Sequence, residues 1–528
     1  MCSSDLILLG KTSPSGKLAT SWASAEELPK LGSFGGPYDT DYREGIYVGY
    51  RYYDAAKTQP LFPFGYGLSY TEFSLSDETV AAEKTVVTVR AKLTNSGSRA
   101  GRETLQVYVS LPEEKLDQPP KVLAGFAKTA LLGPGESEEV CVRFALRDLA
   151  SYDTGRAAWI LEKGDYVILA GCSSDRLKET AVLRLGLEAV VRQVRNIEGK
   201  PFFEDWKPEK RARVIPEGLP VRDIDTACIE TEKVNYDVCE EPDPAVCRLA
   251  DEDLVYANIG GFDPNKSALS VIGDSGKQVA GSAGETTSAL KKAVFPTAVM
   301  ADGPAGLRLV QRFYRDKSGV HSLGANGLPA GMLDLLPVPK GLTDRLFGGK
   351  SKAPKGIQTE YQYATALPVA TAIAQSFDTA FAERCGDIAG DEMARFGVHI
   401  WLAPALNIHR SPLCGRNYEY YSEDPLISGL MAAAVVRGTQ KHPGRAATIK
   451  HFAANNQETN RFGNSSNLSE RALREIYLRG FGICIREAKP RFIMTSYNLI
   501  CGIHSTERRD LCTDVLRREF GFDGALMT

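Results

Sequence analysis

Five short apolar runs in the second half of the chain share one design: four of them end in polar residues of types that can clasp hydroxyl groups. Ala298-Val299-Met300 runs into Ala301-Asp302-Gly303-Pro304, a carboxylate on a tight turn. Ile400-Trp401-Leu402 leads to Asn407 and then to the loop Cys414-Gly415-Arg416-Asn417-Tyr418-Glu419. Ala447-Thr448-Ile449 ends in Lys450-His451-Phe452, with Arg461 eleven residues after the lysine. Phe492-Ile493-Met494 ends in Thr495-Ser496-Tyr497-Asn498, and the fifth run, Ala525-Leu526-Met527-Thr528, closes the sequence.

An aspartate, two arginines, a lysine, a histidine and a tyrosine, with no spacing that would ligate a metal, suit a small polyhydroxylated ligand. Each hydroxyl can be held by one charged acceptor or donor, and charge-assisted hydrogen bonds are the strong ones. Phosphate fits less well, because there is no glycine-rich phosphate loop and Asp302 would repel an anion. A rival chemistry uses Lys450 as the Schiff-base nucleophile of an aldolase, which requires a desolvated lysine with a lowered pKa. The neighbouring His451 and Asp302 favour instead a charged lysine that binds hydroxyls. Each residue also has a purely structural reading, such as Arg416 paired with Glu419 or His451 satisfied inside a core. The recurrence of four clusters at equivalent places argues for a shared role, because loops after the strands of a parallel barrel build its active site.

The elements that would carry these residues follow from pattern. Helices are predicted over 379–395, with Asp378 as N-cap and Gly397 just past the end, and over 425–441, 469–488 and 509–520. Strands separated by such helices predict right-handed βαβ units and a parallel sheet or barrel over 247–528. Residues 72–188 differ completely: Val87, Val89, Ala91 and Leu93 alternate with Thr88, Arg90, Lys92 and Thr94. The runs around Val107 and Val142 alternate likewise, between Asn-Ser-Gly-Ser and Gly-Pro-Gly turns, which predicts an antiparallel β-sandwich. Residues 189–246 mix charge and proline and read as an extended linker lying over a neighbour. Residues 1–71 are rich in Gly, Pro, Tyr and Ser; they read as the tail of a larger domain, with short strands expected at Leu6–Leu9 and Gly45–Arg51.

Composition bounds the function. At 528 residues the chain is too long for one core. A net charge of −3 gives no global field for nucleic acid or an anionic membrane, and the basic stretch Lys207–Arg213 lacks the aromatic interleaving of a nucleic-acid surface. No apolar run approaches the roughly 20 residues that span a bilayer. Eleven cysteines without C-x-x-C spacing point to a reduced, cytoplasmic protein rather than a zinc or disulfide framework. Asn265, Asn464 and Asn467 begin glycosylation triplets of the kind that arise by chance.

These motifs resemble glycoside hydrolase family 3, the β-glucosidase family. Ala-Asp-Gly-Pro-Ala-Gly-Leu-Arg (301–308), Gly-Arg-Asn-Tyr-Glu (415–419) with Ser-Glu-Asp-Pro after it, Lys-His-Phe with the distal Arg461, and Met-Thr-Ser-Tyr-Asn (494–498) are similar to its barrel motifs. Ser13–Leu18, Glu44–Tyr53 and Phe62–Tyr70 are similar to the end of its α/β-sandwich domain, and residues 72–188 to its fibronectin type III-like domain. The resemblance implies an incomplete TIM-type (β/α)8 barrel preceded by a fibronectin type III-like β-sandwich and the tail of an α/β sandwich. That order is the circularly permuted one, with fusion of two neighbouring genes as the less favoured origin, and the chain reads as cut at both ends. By resemblance, Asp302, Arg416, Lys450, His451, Arg461 and Tyr497 hold the sugar in the −1 subsite and Met494 lines it.

The family nucleophile is an aspartate directly after a stretch resembling Gly521–Thr528, one position beyond this chain. The general acid/base is a glutamate in sequence preceding Ser13-Pro14. A retaining β-glycosidase needs both carboxylates, so the resemblance implies a hydrolase whose 528-residue portion is itself inactive. It implies no metal or organic cofactor, and a small carbohydrate as the partner molecule. The sequence Ala453-Ala454-Asn455-Asn456-Gln457 departs from the Pro-Gly-His-Gly of the family's N-acetylhexosaminidases and favours the β-glucosidase and β-xylosidase side. A carbohydrate-binding protein that has lost catalysis is the alternative outside enzymes.

Overall fold

The computed structural model describes residues 3–29, 31–198, 203–209, 214–238, 241–259, 278–287, 295–323 and 352–528. Asn265 lies outside them. Asn464 and Asn467 are buried, which closes them to a glycosylating enzyme in the folded chain.

The chemistry-bearing half is built on one sheet. Its strands Val299–Ala301, Ile400–Trp401, Ala446–Phe452, Phe492–Thr495 and Ala525–Met527 lie side by side in chain order, all parallel, with Gly284–Glu285 antiparallel on the first edge. Helices cross between successive strands: Thr379–Phe396 before the second, Pro425–Gln440 before the third, Arg479–Ala488 before the fourth and Asp510–Glu519 before the fifth. Neighbours in sequence are neighbours in the sheet, the arrangement of a singly wound, curling half-barrel. The predicted caps are in place, since Asp378 accepts from the backbone of Ala380 and Phe381, each at 3.0 Å, and Gly397 closes the helix at φ 76°. Asp424 caps the next helix in the same way. The helix expected over 469–488 is interrupted: Glu470–Ala472 passes into a wide-turn segment, Leu473–Tyr477, before Arg479–Ala488 begins. A three-stranded antiparallel sheet, Arg312–Asp316, Gly319–Ser322 and Glu360–Tyr361, is inserted after the first strand.

The sandwich pairs Phe73–Glu83, Val86–Asn95 and Ser137–Ala145 in one sheet and Arg176–Leu185, Gly164–Ser173, Thr104–Ser110 and Val122–Lys128 in another. Val87, Val89, Ala91 and Leu93 are fully buried between them. The stretch expected as linker contributes three more strands. Val221–Ile224 extends the second sheet, and Ala189–Gln193 and Glu232–Lys233 join Ala158–Leu161 and Ser151–Asp153 in a third. Just after the Ala189–Gln193 strand, Glu470 of the parallel-sheet half accepts from the backbone N–H groups of Ile197 and Glu198, at 3.1 and 2.6 Å.

Two expectations for the first 71 residues fail. Leu6–Leu9 lies mostly within a helix, Ser3–Leu8, and Gly45–Arg51 is a turn leading into a helix, Tyr50–Ala56. Apolar runs of four residues read equally as strand or helix, and here local helix geometry prevails. Among the described residues of this region the one named strand, Asp39–Asp41, pairs in parallel with Ser465–Asn467. The tail is therefore woven into the main core, with Tyr42, Tyr47 and Tyr50 in one buried cluster with Tyr108 of the sandwich and Val435 of a sheet-covering helix.

Candidate active site

The site lies where the strands end. Asp302 directly follows the first strand, in a turn that needs glycine next: Gly303 has φ +113°, and a Cβ there would stand 2.1 Å from the Gly306 carbonyl oxygen. Trp401, on the second strand, donates from Nε1 to the Gly303 carbonyl at 2.9 Å and fixes the turn from the side. Lys450 sits near the end of the third strand, in register with Met494 on the fourth, which is in register with Met527 on the fifth. Residues in register on parallel strands share a face, so the lysine and the two methionines form one row.

Lys450 reaches across to Asp302, Nζ to Oδ1 at 2.9 Å, with its side chain only 4% exposed. Arg308 grips the other oxygen, Nη2 to Oδ2 at 2.7 Å. Burial alone would raise the Asp302 carboxyl, but the charges and hydrogen bonds of Lys450, with Arg308, outweigh it and hold the group below the usual carboxylate range. This ion pair is the opposite of the uncharged, apolar surroundings a Schiff-base lysine needs.

His451 is clamped through its backbone: its N–H donates to Asn407 Oδ1 at 2.8 Å, and its carbonyl accepts from Asn407 Nδ2 at 2.9 Å. Its Nε2 lies 3.0 Å from Arg416 Nη2. A guanidinium only donates, so Nε2 accepts and the ring proton is on Nδ1, a buried atom with no hydrogen-bond partner. Burial first, then the charges of Arg416, Lys450 and Arg461, push this histidine well below its ordinary pKa and keep it neutral. Arg416 in turn donates from Nε to Glu419 and lies 3.8 Å from Glu458, which also pairs with Arg461 at 3.4 Å. The Arg461 guanidinium stands 5.2 Å from the ring centroids of both Phe462 and Tyr497, whose rings are 4.6 Å apart.

All seven residues singled out from the sequence thus fall into one contiguous cluster, from Arg308–Asp302–Lys450 through His451 and Arg416 to Arg461 and Tyr497, with Met494 beside the lysine. The structural reading of Arg416 also holds, since Glu419 does pair with it; the pairing fixes the guanidinium while leaving Nη2 on His451. Arg308, Glu458, Asn407 and Phe462 were not among the expected site residues. The first two stand in the same short motifs as the residues they pair with, six after Asp302 and three before Arg461, which was the available signal. Among the described residues no cluster of three or more His, Cys, Asp or Glu is placed to hold a metal ion. What the arrangement offers is an ionised, doubly anchored carboxylate with lone pairs to spare, next to cations and a neutral imidazole. That is a cradle for vicinal hydroxyls, and the nearby rings of Tyr418 and Phe462 are exposed.

Comparison with known proteins points the same way. Residues 351–528 match the glycosyl hydrolase family 3 N terminal domain, and residues 103–174 the fibronectin type III-like domain. Over 99% of its length the chain is 34% identical to β-glucosidase A of Butyrivibrio fibrisolvens, and 35% identical to a β-glucosidase of Ruminococcus albus. It covers 63% and 51% of those two proteins. The crystal structure of a β-glucosidase from Paenibacillus barengoltzii superposes on 99% of the chain with a TM-score of 0.77 at 32% identity, the chain covering 55% of that protein.

Proposed function

This chain is glycoside hydrolase family 3-like and β-glucosidase-like, and from that premise we propose that its Asp302 cluster is the −1 sugar subsite of a retaining β-glycosidase. The substrates are small β-glucosides or oligosaccharides. The observation that carries the proposal is the Asp302 carboxylate held between Lys450 and Arg308 at the strand ends, beside a neutral His451. A charged acceptor already anchored by two cations can receive two sugar hydroxyls without first reorganising, the kind of preorganised contact that strengthens binding. Lys450 and Arg416 supply donors, and Tyr497 with Met494 supplies the wall.

In this reading the nucleophile is an aspartate immediately after Thr528. The Ala525–Met527 strand lies in register beside the Phe492–Thr495 strand, which supports a position at the strand ends, near Asp302 and Lys450, for that aspartate. A glutamate from sequence preceding Ser13-Pro14 completes the pair: one carboxylate forms the glycosyl-enzyme, the other protonates the leaving oxygen and then activates water. The parallel sheet, continued, closes as a (β/α)8 barrel. The tail–sandwich–sheet order is shared by relatives aligned across nearly the whole chain, which supports permutation over gene fusion.

The test is a panel of aryl β-D-glucoside and β-D-xyloside substrates with the complete protein and its Asp302→Asn variant. Glucoside hydrolysis that collapses in the variant supports the proposal. Preference for the xyloside would move the assignment to β-xylosidase. A complete protein that binds sugar without turnover would make it a carbohydrate-binding protein.

A further inference from the structure

Between the sandwich and the helices on the outside of the parallel sheet lies a cavity of about 240 Å³ that shares no residue with the Asp302 cluster. Its lining is rich in arginine, and beyond the lining Glu470 and Glu487 also pair with Arg474 and Arg486. Five arginines line it against three acids, and each acid is already engaged. Arg486 pairs with Asp148 at 3.0 Å, Arg474 with Glu519 at 2.6 Å, and Arg192 with Glu232. Arg147 and Arg479 form no salt bridge among the described residues; Arg479 donates to the backbone carbonyl of Asp148, and the carboxylates of Asp148, Glu475 and Asp424 act on it from further off. Burial pulls the Arg479 guanidinium below its ordinary range, outweighing the opposing pull of those three carboxylates. Arg192 adds a buried Nε with no hydrogen-bond partner. The remaining wall is apolar, with Trp159 and Val191 on the sandwich side and Ile483 and Phe520 on the helix side.

We propose that this cleft is a second binding site, for a small aromatic carboxylate. The two guanidiniums outside any salt bridge offer donors to an anion, and a planar fork matches a carboxylate bidentately. The Trp159 and Phe520 rings call for an apolar, ring-bearing body. The volume lies below the roughly 300–1,000 Å³ of pockets for drug-sized ligands, which limits the guest to about one ring. A ligand there touches the sandwich and the helix that leads into the Phe492–Thr495 strand, so it ties the two units together and stabilises the whole by mass action.

The experiment is a titration of the 528-residue protein with sodium benzoate, read by tryptophan emission and by the unfolding temperature. Sodium chloride at matched ionic strength and uncharged benzyl alcohol are the controls. We expect a saturable emission change with benzoate alone, lost in Trp159→Phe, and a matching rise in Tm. In Arg147→Gln, an exposed position whose change leaves the fold intact, affinity should fall by about tenfold, one ion-pair's worth of binding. Excess glucose should leave the titration unchanged. A non-saturating response, equal binding of benzyl alcohol, unaltered affinity in Arg147→Gln, or displacement by glucose would each overturn the proposal.

Discussion

At the scale of single residues, the candidate site is a chain of ionic handshakes in which each group proposed to hold a hydroxyl has a fixed neighbour. Asp302→Asn in the complete protein should lower kcat/KM on an aryl β-glucoside by about 10²–10³-fold, the usual effect of removing one preorganised charged contact. Steady-state kinetics check this, and full activity in the variant would remove Asp302 from the site. His451 makes a second, independent prediction. Its folded-state pKa is depressed and its unfolded value is about 6.5, so below that pH the unfolded chain takes up a proton that the folded chain refuses. Its contribution to stability is therefore present above about pH 6.5 and is lost as pH falls, by up to roughly 1.4 kcal/mol per pH unit. Urea denaturation at pH 7 and pH 5 should show a shallower pH dependence for His451→Gln than for the unaltered chain; equal slopes would mean the imidazole is not buried neutral. That the candidate residues would come together was legible because residue type and strand-end position coincide. Their partners were less so: Arg308 and Glu458 become neighbours only once the turn at Gly303 and the loop after Lys450 take their courses.

Among the elements, the helices expected over 379–395, 425–441 and 509–520 were read almost to the residue, while the one over 469–488 is interrupted. Asp378 caps one and Gly397 ends it, and Asp424 caps the next, ahead of Pro425. Asp378→Ala should cost about 1 kcal/mol in a thermal or urea melt. The contact between these two helices is set by glycine. A Cβ on Gly438 would lie 2.0 Å from the Glu383 carbonyl oxygen, and one on Gly386 2.1 Å from that of Val435. Gly438→Ala should therefore destabilise by about 1–3 kcal/mol as the helices are forced apart, a larger loss than Asp378→Ala although only one methyl is added. The elements misread, at Leu6–Leu9 and Gly45–Arg51, are short, and the Tyr50–Ala56 helix has no side-chain N-cap, so little local chemistry separates helix from strand there. Strands at 221–224 and 232–233 were invisible for a related reason: their charged residues gain strand form only from the sheet edges they join.

For the whole molecule, the change of period near residue 72 marked the sandwich, but the packing that unites the three parts left no periodic trace. Asp424 shows why. Besides capping its helix, its Oδ2 accepts from Arg51 Nη2 at 2.7 Å and from the Tyr50 hydroxyl at 2.9 Å, joining tail to sheet in a buried contact. Arg410 grips Glu44 at 3.0 Å, and Lys128 of the sandwich donates to the backbone carbonyls of Ser15 and Ser376, at 2.8 and 2.6 Å. A Tyr- and Gly-rich tail reads as loose until the surfaces it covers are known. Asp424→Ala, which strands Arg51 without its partner, should cost about 3–5 kcal/mol and expose tail and sheet to protease together, whereas a tail that is cut while the sheet stays protected would mean the parts are independent. The most direct test of the sugar-site reading is the crystal structure of the complete protein trapped with a 2-deoxy-2-fluoro-β-glucoside. The expected result is a glucosyl unit bonded to a carboxylate one residue beyond Thr528, its hydroxyls on Asp302 and Lys450. A sugar bound away from this cluster, or bonded to Asp302 itself, would contradict it.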